Sequence, residues 1–137
     1  MHNKFLTSQI QDCTIHRFNV IGGDDYIIPI SFKDSPFQVK RIFTVVDGDK
    51  NLRGMHAHKE CNQLLICIAG ELEVFIYDGF AGSSYYLQKG MGIFIPIGIW
   101  SEQRYLKSQT VLNVLCDMEY VEEEYIRNYE TFKELKK

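Results

Sequence analysis

The segment RGMHAHKECNQLLICIAGELEV, residues 53–74, places two histidines directly ahead of an apolar run that a Gly-Glu turn divides in two. Side chains alternate between the two faces of an extended strand, so His56 and His58 should point to the same side. Residues 63–69 and 71–77 have the composition of two paired strands joined by a tight turn. The segment therefore predicts a β-sheet that carries two neighbouring imidazoles.

Short strands separated by turns continue through the rest of the chain. Further strands are predicted where apolar and β-branched residues cluster, at 40–46, 84–88, 92–96 and 110–116. The chain has 137 residues, of which 45% are hydrophobic and 13% aromatic, and this suits one folded domain over residues 1–137. Strands at this spacing favour an all-β sandwich or small barrel.

The C-terminal tail differs from this β-rich body. Tyr125, Tyr129, Phe132 and Leu135 recur near helical spacing and predict an apolar stripe on a helix over about 121–136. Acidic residues at the start of this segment and lysines at its end suit the helix dipole. We expect the C-terminal helix to pack on the β domain in a structural role.

Charge and composition argue against several classes of protein. The formal net charge of −3 disfavours a nucleic-acid partner or an anionic membrane surface. We expect a cytoplasmic location, because the first residues resemble no secretory signal and no apolar run is long enough to span a membrane. Cys13, Cys61, Cys67 and Cys116 form no CxxC motif and are expected to be free thiols.

The paired histidines allow three interpretations: a metal site, a metal-free acid-base site, or a polar rim of the sheet. Two imidazoles on one side of a strand can bind a metal ion, or they can move protons near neutral pH. For the isolated His2 and His16, an ordinary surface or core position is expected. His56 and His58 instead lie beside cations such as Arg53, and this combination favours a functional site.

The spacing around the histidines resembles the two motifs of the cupin superfamily. The first motif is an HxH pair followed by a carboxylate and a glycine turn, and the second is G-x5-P-x-G-x2-H. Here the first motif runs from His56 to Gly70, and the second from Gly90 to position 101. The resemblance implies an all-β cupin fold, a double-stranded β-helix or jelly-roll barrel, to which the C-terminal helix is added.

Two positions depart from the cupin metal site. Gln63 stands where the superfamily has its glutamate ligand, and Ser101 stands where it has its last histidine. A carboxamide is a weak, neutral ligand for a transition metal, and a serine hydroxyl seldom binds one. His56 and His58 alone are too few ligands for a zinc-type site, so we predict a site that needs no metal and no cofactor.

A narrower resemblance is carried by three segments: RGMHAHKECNQLLICIAGELEV, the upstream PFQVKRIF (36–43) and the tail YIRNYETFKEL (125–135). Together they look like the WxcM-like sugar-nucleotide 3,4-ketoisomerases, which are metal-free cupins, and RGxHAHK is the most distinctive part. The resemblance implies conversion of dTDP-4-keto-6-deoxy-D-glucose to a dTDP-3-keto-6-deoxyhexose in bacterial deoxyamino-sugar biosynthesis for surface glycans such as lipopolysaccharide. It also implies a homodimer that exchanges N-terminal strands.

Moving a ketone from carbon 4 to carbon 3 requires a general base, a proton shuttle and cations beside the developing oxyanion. His56 is the candidate base and His58 its partner or shuttle, and the reverse assignment stays open. Arg53 can stabilise the enediolate or hold the diphosphate through its fork of donors. Gln63 can bind a sugar hydroxyl or orient a histidine without adding charge.

The remaining candidates for substrate binding each have a structural alternative. Lys40, Arg41 and Lys59 can bind phosphate, or they can be solvated surface charges. Trp100 can stack on the sugar or on thymine, or it can be a core aromatic residue. Ser101, next to it, is counted among the residues that bind substrate.

Two other functions stay open from the residues. A sugar-nucleotide 3,5-epimerase is also a metal-free cupin with a histidine base, although it is normally longer and lacks RGxHAHK. A non-catalytic sugar-binding cupin would need fewer paired histidines and cations than this chain has. The residues also leave open the stereochemistry of the product at carbon 4, the nucleotide, and a contribution of a second subunit to the site.

Overall fold

Two five-stranded antiparallel sheets contain most of the strands. The computed structural model describes residues 3–49 and 51–137. In spatial order, the first sheet contains β1 (Ile15–Arg17), β9 (Met91–Ile95), β6 (Gln63–Ala69), β11 (Thr110–Cys116) and β4 (Arg41–Asp47). The second contains β12 (Tyr125–Ile126), β5 (Leu52–His58), β10 (Trp100–Tyr105), β7 (Glu71–Tyr77) and β8 (Gly82–Gln88). A separate hairpin pairs β2 (Ile21–Gly22) with β3 (Tyr26–Ile27).

The core follows from the alternation of side chains along the strands. On β6, Leu65 and Cys67 belong to the main core, together with Leu112 and Val114 of β11. The intervening β6 side chains belong to a second apolar cluster, covered by residues of the segment 18–39. Because both faces of β6 are covered, this strand is apolar throughout, and each fully buried aliphatic side chain contributes about 1.5–3 kcal/mol.

Two short helices pack together beside the second sheet. Helix α1 (Asn3–Thr7) and helix α2 (Tyr129–Lys136) meet through the edge-to-face rings of Phe5 and Phe132. The buried ammonium of Lys136 donates hydrogen bonds to the carbonyl oxygens of Phe5 at 2.5 Å and Ser8 at 3.2 Å. The two ends of the chain are thereby fastened to each other. Neither helix in the described ranges has the length and apolar character needed to cross a membrane.

The predicted all-β architecture is confirmed. Three strands, 63–69, 71–77 and 110–116, have the predicted bounds. The predicted set of strands lacks β10, because its sequence WSEQRY is largely polar and offers little apolar alternation. The four cysteines are free, as expected. His2 lies outside the described residues.

The predicted C-terminal helix is present but shorter than predicted. Its first half, assigned to a helix from about 121, instead forms a 3-10 turn at Glu122–Glu124 and then strand β12. Helix α2 begins after Asn128, whose side chain accepts a hydrogen bond from the backbone N–H of Thr131 at 2.9 Å. Asparagine is a favoured N-cap, and it sets the start of the helix here.

Tyr125 therefore lies on a strand and not on the apolar stripe of the helix. In strand β12 it is the register partner of His58, while Ile126 pairs with Ala57. The pairing with β5 prevails over the helical spacing of Tyr125 and Tyr129, because tertiary contacts routinely override weak local propensity.

A bulge in β5 changes the direction in which its side chains point. Gly54 and Met55 have positive φ angles of 82° and 59°, and Met55 is the extra residue opposite β10. An extra residue reverses the alternation of a strand. Arg53 and His56, at an odd separation in the sequence, consequently line one cavity.

We predict that Gly54→Ala lowers the free energy of unfolding by roughly 2 kcal/mol, since a side chain at positive φ costs about 1–2 kcal/mol. The added Cβ would also lie 2.5 Å from Oε1 of Gln103. Gly23→Ala is the matched control, because its Cβ would meet nothing within 4 Å. Chemical denaturation of the two variants and the parent measures the difference; equal losses of stability would contradict this role of the bulge.

Candidate active site

A cavity of about 230 Å³ lies beside the β5 bulge. One part of its wall is apolar and comes mainly from the first sheet, with Phe43, Val45, Leu65, Leu112, Val114 and, from β10, Tyr105. The other part is polar and contains Arg53, His56, Gln63, Gln103 and Arg127. The site therefore combines an imidazole, two guanidinium groups and two carboxamides against a mostly hydrocarbon wall.

The two histidines of the HxH motif lie against each other. Their ring centroids are 4.8 Å apart, with the ring planes at 86°. His56 lines the cavity, whereas His58 is 3% exposed. Ala57 between them packs in the apolar cluster that contains Phe5 and Trp100. The strand thus sends both imidazoles to one side and the methyl group to the other.

A buried glutamate holds His58. Oε2 of Glu124 lies 2.5 Å from Nδ1 of His58, and Oε1 accepts the backbone N–H groups of Glu60 at 3.2 Å and Cys61 at 3.1 Å. Burial alone would raise the pKa of Glu124, but these hydrogen bonds more than offset it, so its pKa lies below the ordinary value. The carboxylate is therefore ionised at neutral pH.

The charge of Glu124 determines which ring nitrogen of His58 carries the hydrogen. An ionised carboxylate can only accept, so Nδ1 of His58 donates to it. In the neutral ring Nε2 then carries a lone pair, and this atom is buried without a hydrogen-bond partner in the described part of the chain. The arrangement leaves a proton acceptor on the far side of the ring from Glu124.

His56 is kept neutral by its surroundings. Burial, followed by the charges of His58 and Arg127, lowers its pKa from 6.5 to about 4, against the opposing influence of the Gly54 backbone and of Glu124. Its Nδ1 is buried without a hydrogen bond of good geometry within the described ranges. At neutral pH, His56 can therefore accept a proton.

The segment that follows Glu124 covers the two histidines. The ring of Tyr125 lies 5.1 Å from that of His56 and 4.4 Å from that of His58. The guanidinium of Arg127 stands 4.4 Å over the Tyr125 ring and also lines the cavity. Glu122 accepts two hydrogen bonds from Arg127, at 2.7 and 2.9 Å.

Arg53 is held by a buried carboxylate. Its Nε donates to Oδ2 of Asp47 at 2.9 Å, and the Asp47 side chain is completely buried. Burial by itself would raise the pKa of Asp47, but hydrogen bonds from the backbone of Asn51 and Asp49 and from Arg53 lower it. Arg53 is thus oriented at one end and half-exposed at the other.

Gln63 and Arg41 both contact Cys116. The amide nitrogen of Gln63 and Nη2 of Arg41 each lie 3.4 Å from the sulfur. A hydrogen bond from Cys61, together with these two groups, lowers the pKa of Cys116 to about 7 against the effect of burial. Gln63 lines the cavity, while the Arg41 guanidinium lies over the rings of Phe43 and Tyr120.

Ser101 contacts the cavity only indirectly, through Gln103. It is 3% exposed, and its hydroxyl accepts a hydrogen bond from the side-chain nitrogen of Gln103 at 3.0 Å. Gln103 is the residue that lines the cavity. The structure thus places Ser101 in support of the cavity wall.

Three predicted substrate-binding residues lie elsewhere. Trp100 is 2% exposed, packs on Tyr129 and Phe132, and donates its indole N–H to Glu102 at 2.8 Å, so the core alternative describes it. Lys59 lines a separate cleft with Glu123 and Glu124. Lys40 is exposed just before β4. Their side chains are not among those that line the cavity.

Several residues of the site are absent from the predicted set, above all Glu124, Tyr125 and Arg127. Helical spacing assigned all three to the C-terminal helix. The signal that could have found them is Asn128, since an N-cap there leaves the preceding residues extended. A strand at that point brings a carboxylate and an aromatic ring to an HxH motif.

Residues 11–137 match the family model described as FdtA: WxcM-like, C-terminal. The chain belongs to this family. A curated relative, the TDP-4-oxo-6-deoxy-alpha-D-glucose-3,4-oxoisomerase of Aneurinibacillus thermoaerophilus, is 34% identical over 103 residues, which are 74% of each chain.

Two solved structures extend the comparison. A 3,4-ketoisomerase from Helicobacter canadensis is 34% identical, with a TM-score of 0.81 over 90% of this chain and 96% of that one. A histidine-to-asparagine mutant of the 3,4-ketoisomerase QdtA from Thermoanaerobacterium thermosaccharolyticum, in complex with TDP-4-keto-6-deoxyglucose, is 29% identical, with a TM-score of 0.81 over 90% and 92%. These matches confirm the predicted cupin fold.

One group of potential metal ligands exists in the described part of this FdtA-family chain. Ligand atoms of His58, Cys61 and Glu124 lie within 4.8 Å of one another. The Glu124 oxygens already accept three hydrogen bonds, and the interaction with Cys116 together with burial strongly raises the pKa of Cys61. Both Glu124 oxygens are thus engaged within the protein, and a metal ion would have to displace these hydrogen bonds, so the site is still predicted to need none.

We predict that this FdtA-family protein loses stability as the pH falls from 6.5 towards 4. The unfolded chain binds a proton at His56 near pH 6.5, whereas the folded protein does so only near pH 4. The contribution of His56 to the free energy of unfolding is therefore fully present above pH 6.5. It is lost as the pH falls towards 4, by roughly 3 kcal/mol in total.

Denaturation at a series of pH values checks this expectation. His56→Asn should flatten the slope between pH 6.5 and 4, while His16→Asn should largely keep it, because the pKa of His16 is lowered to a smaller extent. An unchanged slope in His56→Asn would show that another group is responsible.

Proposed function

We propose that this protein is a metal-independent sugar-nucleotide 3,4-ketoisomerase. It converts dTDP-4-keto-6-deoxy-D-glucose to a dTDP-3-keto-6-deoxyhexose through an enediolate. The observation that carries the proposal is a neutral imidazole in a partly apolar cavity, backed by a second imidazole on an ionised glutamate and flanked by arginines. The named activities of the relatives point to the same reaction.

His56 takes the proton from carbon 3 in this proposal, since it is the histidine that lines the cavity. Proton removal leaves a negative enediolate. The hydroxyl proton then passes from the oxygen on carbon 3 to the oxygen on carbon 4, and protonation of carbon 4 gives the 3-ketone. The ionised Glu124, on the far side of His58, stabilises the positive charge that His56 gains. The His58 ring can also relay the proton, because its Nε2 is free to accept one.

Arg53 and Arg127 supply positive charge at the cavity. Arg53 is oriented by Asp47 and Arg127 by Glu122, so each guanidinium keeps other N–H donors for an enediolate oxygen or a diphosphate. The cavity of about 230 Å³ is smaller than the sites that enclose drug-sized ligands. It therefore holds the sugar ring and leaves the nucleotide outside.

Gln63 and Gln103 suit the hydroxyl groups of the sugar. Carboxamides donate and accept hydrogen bonds without charge, so they do not compete for the proton that His56 must accept. Ser101 holds Gln103 in place. We infer a cytoplasmic setting in deoxyamino-sugar biosynthesis for surface glycans, where the four buried free thiols would stay reduced.

Incubation with dTDP-4-keto-6-deoxyglucose in deuterated water, with EDTA present, tests the proposal. NMR should show a 3-keto product that carries deuterium at carbon 4, at a rate that chelation leaves unchanged. Exchange at carbons 3 and 5 with the 4-keto group retained would indicate an epimerase. No exchange at all would indicate a sugar-binding module, and loss of turnover with EDTA would overturn the metal-free assignment.

Two variants locate the base in the same assay. His56→Asn should remove most of the turnover, because general-base catalysis typically contributes about 10²–10⁴-fold to the rate. His16→Asn is the control and should keep the parent rate, because it lies on β1 and outside the cavity-lining set. Near-normal turnover in His56→Asn together with a large loss in His58→Asn would transfer the role of base to His58.

We further propose a homodimer that exchanges N-terminal strands. Strand β4 ends the order of the first sheet and exposes Ile42 and Val46, at 48% and 54%. An exposed apolar edge strand is normally covered. The pairing of β1 with β9 can form between two chains as well as within one, which is how strand exchange builds a dimer.

Light scattering should give twice the chain mass of 16.0 kDa. The double variant Ile42→Lys, Val46→Lys should be monomeric, because two charges on the edge strand oppose its burial. Phe80→Lys is the control, since Phe80 is 76% exposed outside the two main sheets, and should remain dimeric. A parent protein with the mass of one chain would refute the dimer.

A further inference from the structure

Tyr125 is the one ring that contacts both histidines among the ring contacts of the described residues. It meets His56 at 70° and His58 at 59°, so three rings form a compact cluster at mutual distances of 4.4–5.1 Å. The hydroxyl-bearing ring thus closes the side of the histidine pair that faces β12.

The two imidazoles differ in what fixes their orientation. His58 is anchored by its hydrogen bond to Glu124, whereas Nδ1 of His56 has no such partner within the described ranges. The terminal torsion of a histidine side chain has broad minima. Besides the backbone of Gly54, packing against His58 and Tyr125 sets the ring angle of His56.

Tyr125 is itself held from several directions. Its backbone pairs with His58 in the sheet, the guanidinium of Arg127 covers one ring face, and the ring of Tyr120 lies 5.5 Å away. A cation over an aromatic ring contributes about 0.5–1 kcal/mol when exposed and more when desolvated. The ring therefore has little freedom to turn.

We propose that Tyr125 is the positioning residue of the histidine pair, holding both imidazoles through its ring. The inference rests on the proposed ketoisomerase activity for its kinetic consequences, and on geometry alone for its structural ones. In this assignment the hydroxyl group performs no proton transfer. The aromatic ring is the part that the site requires.

The kinetics of two variants distinguish the role of the Tyr125 ring from that of its hydroxyl group. Tyr125→Leu should lower kcat about 10–100-fold with little change in KM, since misplacement of a reacting group by about 1 Å can cost 10²-fold. Tyr125→Phe keeps the ring and should stay within about threefold of the parent kcat, because the ring still positions both imidazoles and the hydroxyl group transfers no proton. Tyr86→Leu is the control and should keep the parent kcat, because Tyr86 is exposed on β8 and lies outside the cavity lining.

An NMR titration of the histidine rings without substrate tests the geometry independently. The groups that influence His56 include His58 on its own strand and Glu124 and Arg127 on the covering segment. Tyr125→Leu should admit water and move the His56 pKa from about 4 towards 6.5, whereas Tyr125→Phe should leave it unchanged. This arm stays informative if the parent proves inactive on the sugar nucleotide.

The outcomes that would overturn the proposal are distinct. Equal loss of kcat in Tyr125→Phe and Tyr125→Leu would assign the role to the hydroxyl group. Parent-like turnover and an unshifted titration in Tyr125→Leu would remove the role altogether. If Tyr125→Leu fails to fold, Tyr125→Met replaces it, because methionine is unbranched and flexible and fills the gap without a planar face.

Discussion

The pairing of the two-residue strand β12 with the end of β5 is the constraint on which the site depends. It sets Tyr125 opposite His58 and Ile126 opposite Ala57, and so places Glu124 within hydrogen-bonding distance of the histidine. The same two residues turn the chain towards the cap of α2 at Asn128. A short strand thus joins the chemistry on one face of β5 to the aromatic packing on the other.

Buried charge at this site is arranged in compensated pairs. Glu124 is buried but accepts three hydrogen bonds, and Asp47 is buried but accepts from Arg53 and two backbone groups. An uncompensated carboxylate would cost several kcal/mol in such surroundings. Each carboxylate instead holds a side chain of the site: Glu124 holds the imidazole of His58, and Asp47 holds the guanidinium of Arg53. His56, which lacks a carboxylate partner of its own, remains neutral.

The sequence predicts the parts of the fold that depend on apolar alternation or continuous apolar runs. Strands 63–69, 71–77 and 110–116 are found at their predicted bounds because burial on one or both faces determines them. The HxH pair is found with both rings together, because the period of a strand is two. Glu124 and Tyr125 are not predicted as site residues, because a strand of two residues has no periodicity in its sequence. Its pairing depends on contacts with β5, which is distant in the sequence.

The two departures from the cupin metal ligands have a common physical result. Gln63 donates to Cys116 and Ser101 accepts from Gln103, so both side chains make hydrogen bonds inside the protein where the superfamily would direct ligand atoms at a metal. The carboxylate of the site also lies in a different place from the glutamate ligand of the superfamily. It belongs to Glu124, which contacts Nδ1 of His58 and does not line the cavity. A carboxylate in that position can polarise an imidazole and leaves the cavity free of a competing base, which suits the proton transfer that we propose for the keto sugar.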